Sequence, residues 1–200
     1  MPGLFLFVGR LCRYPVTARK GTLPVNDNEL RPTLRRLLEL WRSNRRRRNG
    51  LLPTRQDFDP LELGAKLLPY VSIVELDEGR LRFRLCGTGL AKAAGLDLTG
   101  AYVDELNPNK DYARYITGLY EQARSARLPV LSESVFIGSL EVAQGHTQRL
   151  VCPLAHDGER VDHFIGTQIF QKSKDSIGDL TMTYAAGFLP GETRVIEDEA

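Results

Sequence analysis

The chain has 200 residues, of which 42% are hydrophobic and 26% charged, close to the average of globular proteins. This composition excludes a wholly disordered, collagen-like or disulfide-scaffold protein, and no segment reaches the ~20 apolar residues that a transmembrane helix needs. The formal net charge of +2 hides an asymmetry, because residues 1–58 carry a net +9 and residues 59–200 a net −7. Such a division is typical of segments that meet different partners.

The cysteine and histidine content indicates the compartment and argues against a zinc site. Cys12, Cys86 and Cys152 are odd in number, far apart and free of a CxxC motif. This pattern favours unpaired thiols in a reducing compartment, so we expect a cytoplasmic protein. The three histidines do not pair with these cysteines at zinc-ligand spacing.

Residues 1–27 are predicted to be a flexible leader, and residues 28–50 a basic amphipathic helix. Asn28 is expected to cap this helix, and Pro32 is tolerated in its first turn. Four apolar side chains recur at helical spacing and form one stripe, which we take as the candidate dimer interface. They are Leu34, Leu37, Leu38 and Trp41.

Four consecutive arginines close the basic helix and are candidates for binding an anion such as a nucleic-acid or lipid phosphate. They are Arg45, Arg46, Arg47 and Arg48. No aromatic residues are interleaved with them, and such a run is usually a solvated helix end.

Residues 51–171 are predicted to form one domain, and residues 172–200 a flexible acidic tail. Short helices are expected at 61–67 and between 87 and 106, with a longer one from about 109 to 127. Strands are expected at 70–76, 80–86, 130–137, 147–154 and 161–170. Because strands and helices do not alternate, the order predicts an α+β fold with a five-stranded antiparallel sheet and helices over one face. The basic helix is the candidate cover for the other face, from the same chain or a neighbour.

A set of short motifs runs through the domain in a fixed order. The motifs are Leu40-Trp41, Leu52-Pro53-Thr54-Arg55, Asp59-Pro60, Leu67-Leu68-Pro69, Arg82-Phe83-Arg84-Leu85-Cys86-Gly87-Thr88 and Leu98-Thr99-Gly100. With the element order, this set resembles a PAS-like family that is widespread in alphaproteobacteria, over about residues 33–170. The resemblance implies a single-domain sensory or signalling module without enzymatic activity, often a homodimer. It implies a signalling protein as partner and leaves room for a small-molecule ligand between sheet and helices.

Aromatic and apolar side chains on the long helix and the strands are the candidates for lining such a pocket, although this spacing is equally typical of a filled core. They are Phe83, Leu85, Tyr112, Tyr115, Leu119, Leu150, Cys152 and Ile165. The helical region 87–128 has no cysteine for covalent flavin chemistry, and the long helix has no axial histidine for haem. The sequence therefore argues against both cofactors and leaves the ligand unknown.

Two other functions stay open as alternatives. The basic N-terminal segment supports a nucleic-acid or membrane-surface adaptor, although the sequence does not favour nucleic acid. A small enzyme on the same scaffold would need a deep pocket with a close acid and base. No catalytic or metal-ligating set is visible at recognisable spacing, so we expect a protein that is not an enzyme.

Overall fold

The structure, a computed structural model, describes residues 30–106, 110–137, 144–172 and 187–197. The helices are α1 (Pro32–Arg47), α2 (Pro60–Leu67), α3 (Thr88–Ala94) and α4 (Lys110–Ala126), with 3₁₀ turns at Arg55–Asp57, Leu68–Tyr70 and Val103–Glu105. The strands are β1 (Val71–Asp77), β2 (Arg80–Cys86), β3 (Val130–Ile137), β4 (Gln144–Leu154), β5 (His163–Lys172) and β6 (Gly187–Val195). The predicted leader 1–27 and the predicted cap Asn28 lie outside the described residues.

The strands form one antiparallel sheet in the order β2-β1-β5-β4-β3-β6. The predicted α+β class is confirmed, whereas the predicted number of five strands is wrong. The extra strand, β6, pairs with β3 along the edge that a five-stranded sheet would leave open. β5 and β4 are consequently central, with two further strands on either side of them.

The C-terminal segment corrects the prediction of a flexible tail over residues 172–200. Within it, residues 187–197 are described and contain β6. Ile196, directly after the strand, is buried, and its N–H donates to Pro129 O at 2.7 Å. Arg42 in α1 donates to the carbonyl of Glu197 at 3.1 Å. Hydrophobic periodicity is weak in this segment because Pro190 and Gly191 interrupt the strand beside a bulge in its pairing with β3.

β1 and β2 are joined by a two-residue turn whose geometry follows from its sequence. Glu78 and Gly79 both have positive φ, at 50° and 84°. This combination makes a type I′ turn, whose twist matches that of the two strands it connects. β1, this turn and β2 therefore form a β-hairpin.

The sheet is covered on both faces. Helix α1 packs against β4 and β5, and helix α4 packs against β3, β4 and β6. The positive charge of Arg42, in α1, is close enough to Cys152 to lower the pKa of its thiol. The charge of Arg149 has the same effect on the pKa of Tyr120 in α4. Because residues 149 and 152 of one strand point to opposite faces, α1 and α4 lie on opposite sides of the sheet. The second cover predicted for the sheet is thus α1 of the same chain.

Helix α1 is shorter than the predicted span of 28–50. It begins at Pro32, whose missing N–H costs nothing in the first turn, and its N-cap residue Arg31 makes no capping hydrogen bond through its side chain. Asn49 and Gly50 end it with positive φ angles of 54° and 86°. The left-handed conformation of these two residues stops the helical hydrogen-bond pattern.

Candidate functional site

A small cavity lies between the sheet and the helices of the α4 side. Its volume is about 50 Å³, and its apolar wall includes Phe83, Leu90, Val103 and Ile116. Because one water molecule needs at least ~10–15 Å³ of such space, the cavity accommodates no more than about three to five water molecules. Drug-sized ligands occupy sites of ~300–1,000 Å³, so in this conformation the cavity suits only a small ligand.

The wall of the cavity carries one buried cation, Arg149, whose exposed fraction is 7%. Its Nε donates to Gln168 Oε1 at 3.1 Å, and Gln168 Nε2 donates in turn to Thr147 Oγ1 at 2.8 Å. These two hydrogen bonds fix the side-chain amide and, through it, the guanidinium. All other cavity-lining residues in the described part of the chain are uncharged.

Two tyrosines of α4 also line the cavity. Tyr120 is buried, and its ring meets Phe164 edge to face, with 5.1 Å between the ring centroids. Burial raises the pKa of Tyr120 to about 12, although the charge of Arg149 opposes the rise. Tyr120 is therefore neutral near pH 7 and keeps its O–H as a hydrogen-bond donor. Tyr112, two turns earlier, is likewise buried.

The predicted pocket residues separate into two groups in the structure. Phe83, Tyr112 and Leu150 line the cavity. The other five are not among the described residues that line the cavity. They are Leu85, Tyr115, Leu119, Cys152 and Ile165. Cys152 and Ile165 are paired in the sheet and fully buried on the α1 side, where burial raises the pKa of the Cys152 thiol.

A bulge explains why Leu85 does not follow Phe83. In the pairing of β1 with β2, Val74 lies opposite Phe83 and Ile73 opposite Leu85, so Arg84 is an extra residue. One extra residue reverses the alternation of faces. Leu85 is consequently 36% exposed, while Phe83 is 8% exposed. The alternation of faces along β2 is therefore interrupted after Phe83.

Sequence reasoning missed the polar part of the cavity, Arg149 and Gln168. The segment Thr147-Gln148-Arg149 looks like a solvent-facing strand end, because arginine is almost never fully buried without a partner. The alternation of side chains along a strand could have indicated that these two residues are buried. Arg149 shares its face with Val151, and Gln168 shares its face with Phe164 and Phe170.

The four residues of the predicted dimer stripe are buried within their own chain. Leu34, Leu37 and Trp41 are 0% exposed and Leu38 is 1% exposed. Trp41 Nε1 donates to the carbonyl of Pro153 in β4 at 2.9 Å. The stripe thus covers the sheet of its own chain, and its role as a dimer interface stays a prediction.

Three of the four arginines proposed to bind anions contact neighbouring residues around the end of α1. Arg45 donates to Gly50 O at 3.1 Å and lies over the Trp41 ring, 5.3 Å from its centroid. Arg47 bonds to Asn44 and lies 3.5 Å from a Glu62 carboxylate oxygen, and Arg48 lies 3.5 Å from Asp57 Oδ2.

Arg46 differs from the other three. Its side chain is exposed, and it forms no ion pair with any residue that the structure describes. As far as the described residues show, Arg46 therefore presents its charge to solvent, and Arg47 adds its exposed side.

A larger concavity of about 470 Å³ lies at one end of the sheet, beside the β1–β2 turn and the loop before β5. It is open to solvent, and charged side chains including Arg124, Asp157 and Arg160 line it. Arg124 is 3.5 Å from Glu121, and Asp157 accepts hydrogen bonds from the N–H groups of its own turn. These local pairings make the open cleft a weaker candidate than the smaller cavity between the sheet and the helices.

The described ranges contain no group of three or more His, Cys, Asp or Glu side chains that could hold a metal ion. Across the same ranges, none of the helices combines the length and the apolar character needed to cross a lipid bilayer. The comparisons with known proteins add one positive result. The family model for the PAS domain matches residues 30–169, from just before α1 to the middle of β5. Neither the search of curated proteins nor that of solved structures found a match.

Proposed function

Since the chain belongs to the PAS domain family, we propose that it is a non-enzymatic sensory module that reads a small ligand in the cavity and reports it to a protein partner through α1. PAS domains are generally sensory rather than catalytic modules. The observation that supports the proposal is the position of the cavity and α1 on opposite faces of the same two strands.

The two central strands connect these features over a short path. In β4, Arg149 and Val151 line the cavity, while Pro153 accepts the hydrogen bond of Trp41. Gly166 and Gln168 of β5 line the cavity as well, and α1 packs on the same strand from the other side. A ligand that moves either strand therefore changes the surface on which α1 rests.

The change in α1 would be a shift between two populations rather than a new structure. A ligand shifts such an equilibrium only by its difference in affinity for the two states. One state is the docked α1 of this structure. The other would release part of the apolar stripe, which becomes available to a partner or to a second copy of the chain.

We also propose that the chain is a homodimer in the cytoplasm. When α1 is docked on the sheet, the contacts between the two copies must use residues outside the buried stripe. Light scattering, which measures the molar mass in solution, tests whether the chain is a dimer. The reducing compartment is supported by Cys86 and Cys152, both of which are free thiols.

The sole tryptophan of the chain is a built-in reporter for the test, because Trp41 lies on α1. A panel of small metabolites is titrated against the purified protein while tryptophan emission is recorded. We expect at least one compound to shift the emission saturably. The variant Ala94→Leu, which fills the cavity from α3, should abolish the response.

The matched control is Ala93→Leu, on the same helix but outside the described wall of the cavity. It should keep the response. A compound that binds Ala94→Leu as well as the wild type would refute the cavity as its site. Binding without a change in Trp41 emission would refute the transmission to α1.

The alternative proposal is an adaptor for nucleic acid or a membrane surface. It is supported by the exposed guanidiniums of Arg46 and Arg47 at the end of α1. Electrostatic binding to phosphates weakens steeply as salt is raised. Binding of duplex DNA or anionic vesicles at low salt, lost in Arg46→Gln/Arg47→Gln, would favour this function. Absence of binding at low salt excludes it.

A further inference from the structure

We infer that the ligand of this cavity is a small anion, a carboxylate or similar oxyanion, bound by Arg149. The inference rests on the proposed function, in which the cavity binds a small ligand, and adds the chemical class. Three features of the cavity support it: its charge, its hydrogen-bond donors and its size.

The charge of the wall is positive. Arg149 supplies the one formal charge among its described lining residues, because Tyr120, with a pKa of about 12, is neutral at physiological pH. A buried guanidinium is costly when desolvated, and an anion in contact with it offsets that cost. A neutral or cationic ligand of the same size gains no such contribution.

The donor groups include the guanidinium of Arg149, which lines the cavity. With Nε engaged by Gln168, the fork of the guanidinium has the planar geometry that matches a carboxylate. Ser132 lies directly across the β3–β4 pair from Arg149 and is 2% exposed. Its hydroxyl has no hydrogen-bond partner in the structure. Residues directly opposite in an antiparallel pair share a face, so Ser132 lies on the same face as Arg149, next to the cavity and not among the residues that line it.

The size sets an upper limit for the ligand. A cavity of about 50 Å³ holds the equivalent of about three to five waters. Ions with this number of non-hydrogen atoms include formate, acetate, nitrate and bicarbonate. Larger dicarboxylates would need the helices to move outward.

The test compares acetate with acetamide, which has nearly the same shape but no charge. Binding of both to wild-type protein is measured by ligand-detected NMR at constant ionic strength. We expect acetate to bind about five- to tenfold more tightly, since a hydrogen bond to a charged group is stronger than one between neutral groups. Equal affinities, or no acetate binding, would overturn the inference with no variant needed.

A variant then locates the site. Gln168→Glu places a carboxylate beside Arg149 and should reduce acetate affinity by about tenfold or more. Gln171→Glu, an exposed position on the same strand outside the cavity wall, should leave it unchanged. Equal effects of the two substitutions would show that acetate binds elsewhere. Circular dichroism and melting of both variants verify the fold.

The outcomes separate this inference from the proposed function. Neutral metabolites that bind the cavity and shift Trp41 emission, with no acetate binding, would sustain the function and refute the anion. Acetate binding that Gln168→Glu abolishes, with no change in Trp41 emission, would sustain the anion site and refute transmission to α1.

Discussion

Tyr120 shows how one side chain links the cavity to the stability of the molecule. It is buried between α4 and the sheet, against Phe164, and its pKa is raised to about 12 from an ordinary 10.0. Burial favours the neutral phenol because the phenolate would lose its hydration. Folding therefore prefers the protonated form of this residue.

The first prediction concerns alkaline pH. A group whose pKa is raised on folding contributes stability that is complete below its unfolded pKa and lost as pH rises through its folded pKa. For Tyr120 this window runs from pH 10.0 to about 12. The free energy of unfolding should fall across it, by an amount on the order of 2 kcal/mol from this residue.

Urea unfolding at a series of alkaline pH values measures this loss. Tyr120→Phe removes the phenol, so its unfolding free energy should fall less between about pH 10 and 12. Tyr70→Phe, at an exposed position, is the control and should keep the wild-type profile. Identical pH profiles for wild type and Tyr120→Phe would contradict the prediction.

At this scale the sequence predicts which residues are apolar better than which face they occupy. Phe83 and Leu85 were both candidates for the pocket wall. Phe83 lines the cavity, whereas a bulge at Arg84, which has no signature in the sequence, turns Leu85 to the other face. Leu150 and Cys152 belong to a strand with helices on both sides, where either face can be apolar. Arg149 escaped notice because burial of a cation depends on partners that lie far away in the chain, such as Gln168.

β6 is the element that sequence periodicity did not reveal. It supplies the pairing partner of β3 and leads to Ile196, which is 1% exposed. Unpaired edge strands tend to pair with other chains, so β6 also protects the β3 edge. Its Pro- and Gly-interrupted sequence forms a strand because β3 provides a template, not because of its own propensity.

The second prediction tests the contribution of this segment to stability. Ile196→Ala removes a buried side chain and should lower the free energy of unfolding by about 2–5 kcal/mol. Glu192→Ala, nearby in β6, removes only the partly exposed ion pair with Arg194 and should cost less than about 1 kcal/mol. Urea denaturation measures both values. Equal, small effects would mean that the C-terminal segment does not pack as described.

Helix α1 illustrates what a pattern leaves undecided. Its stripe of Leu34, Leu37, Leu38 and Trp41 predicts an apolar face that must be buried, and each of the four is at most 1% exposed. Amphipathic spacing cannot distinguish burial against a sheet of the same chain from burial against a second copy. The docking of Trp41 on Pro153 resolves this for the structure, since the indole donor finds its acceptor within the chain.

The whole molecule has one continuous core that includes residues of both faces of the sheet. Leu34 of α1 and Tyr120 of α4 belong to the same buried cluster, with the side chains of the central strands between them. A core of this kind favours a single cooperative unfolding transition. The charge asymmetry follows the same architecture, because the basic α1 lies on a domain whose net charge is negative.

The third prediction is that Trp41 emission and far-UV circular dichroism report the same transition in urea. Leu34→Ala should shift both midpoints to lower urea together, with a loss of about 2–5 kcal/mol. A Trp41 transition at clearly lower urea than the circular dichroism transition would show that α1 separates before the domain unfolds. Glu39→Ala, exposed on the same helix, is the control and should move neither midpoint.

The double covering of the sheet has a consequence for its hydrogen-bond ladders. β5 and β4 have strands on both edges and helices on both faces, so water reaches their paired amides only when a neighbouring layer departs. Proton exchange at these amides therefore tracks the opening of the entire molecule, while exchange at β2 and β6 follows smaller local openings. We therefore expect the slowest amide exchange of the described residues in β4 and β5, the two strands that border both the cavity and α1.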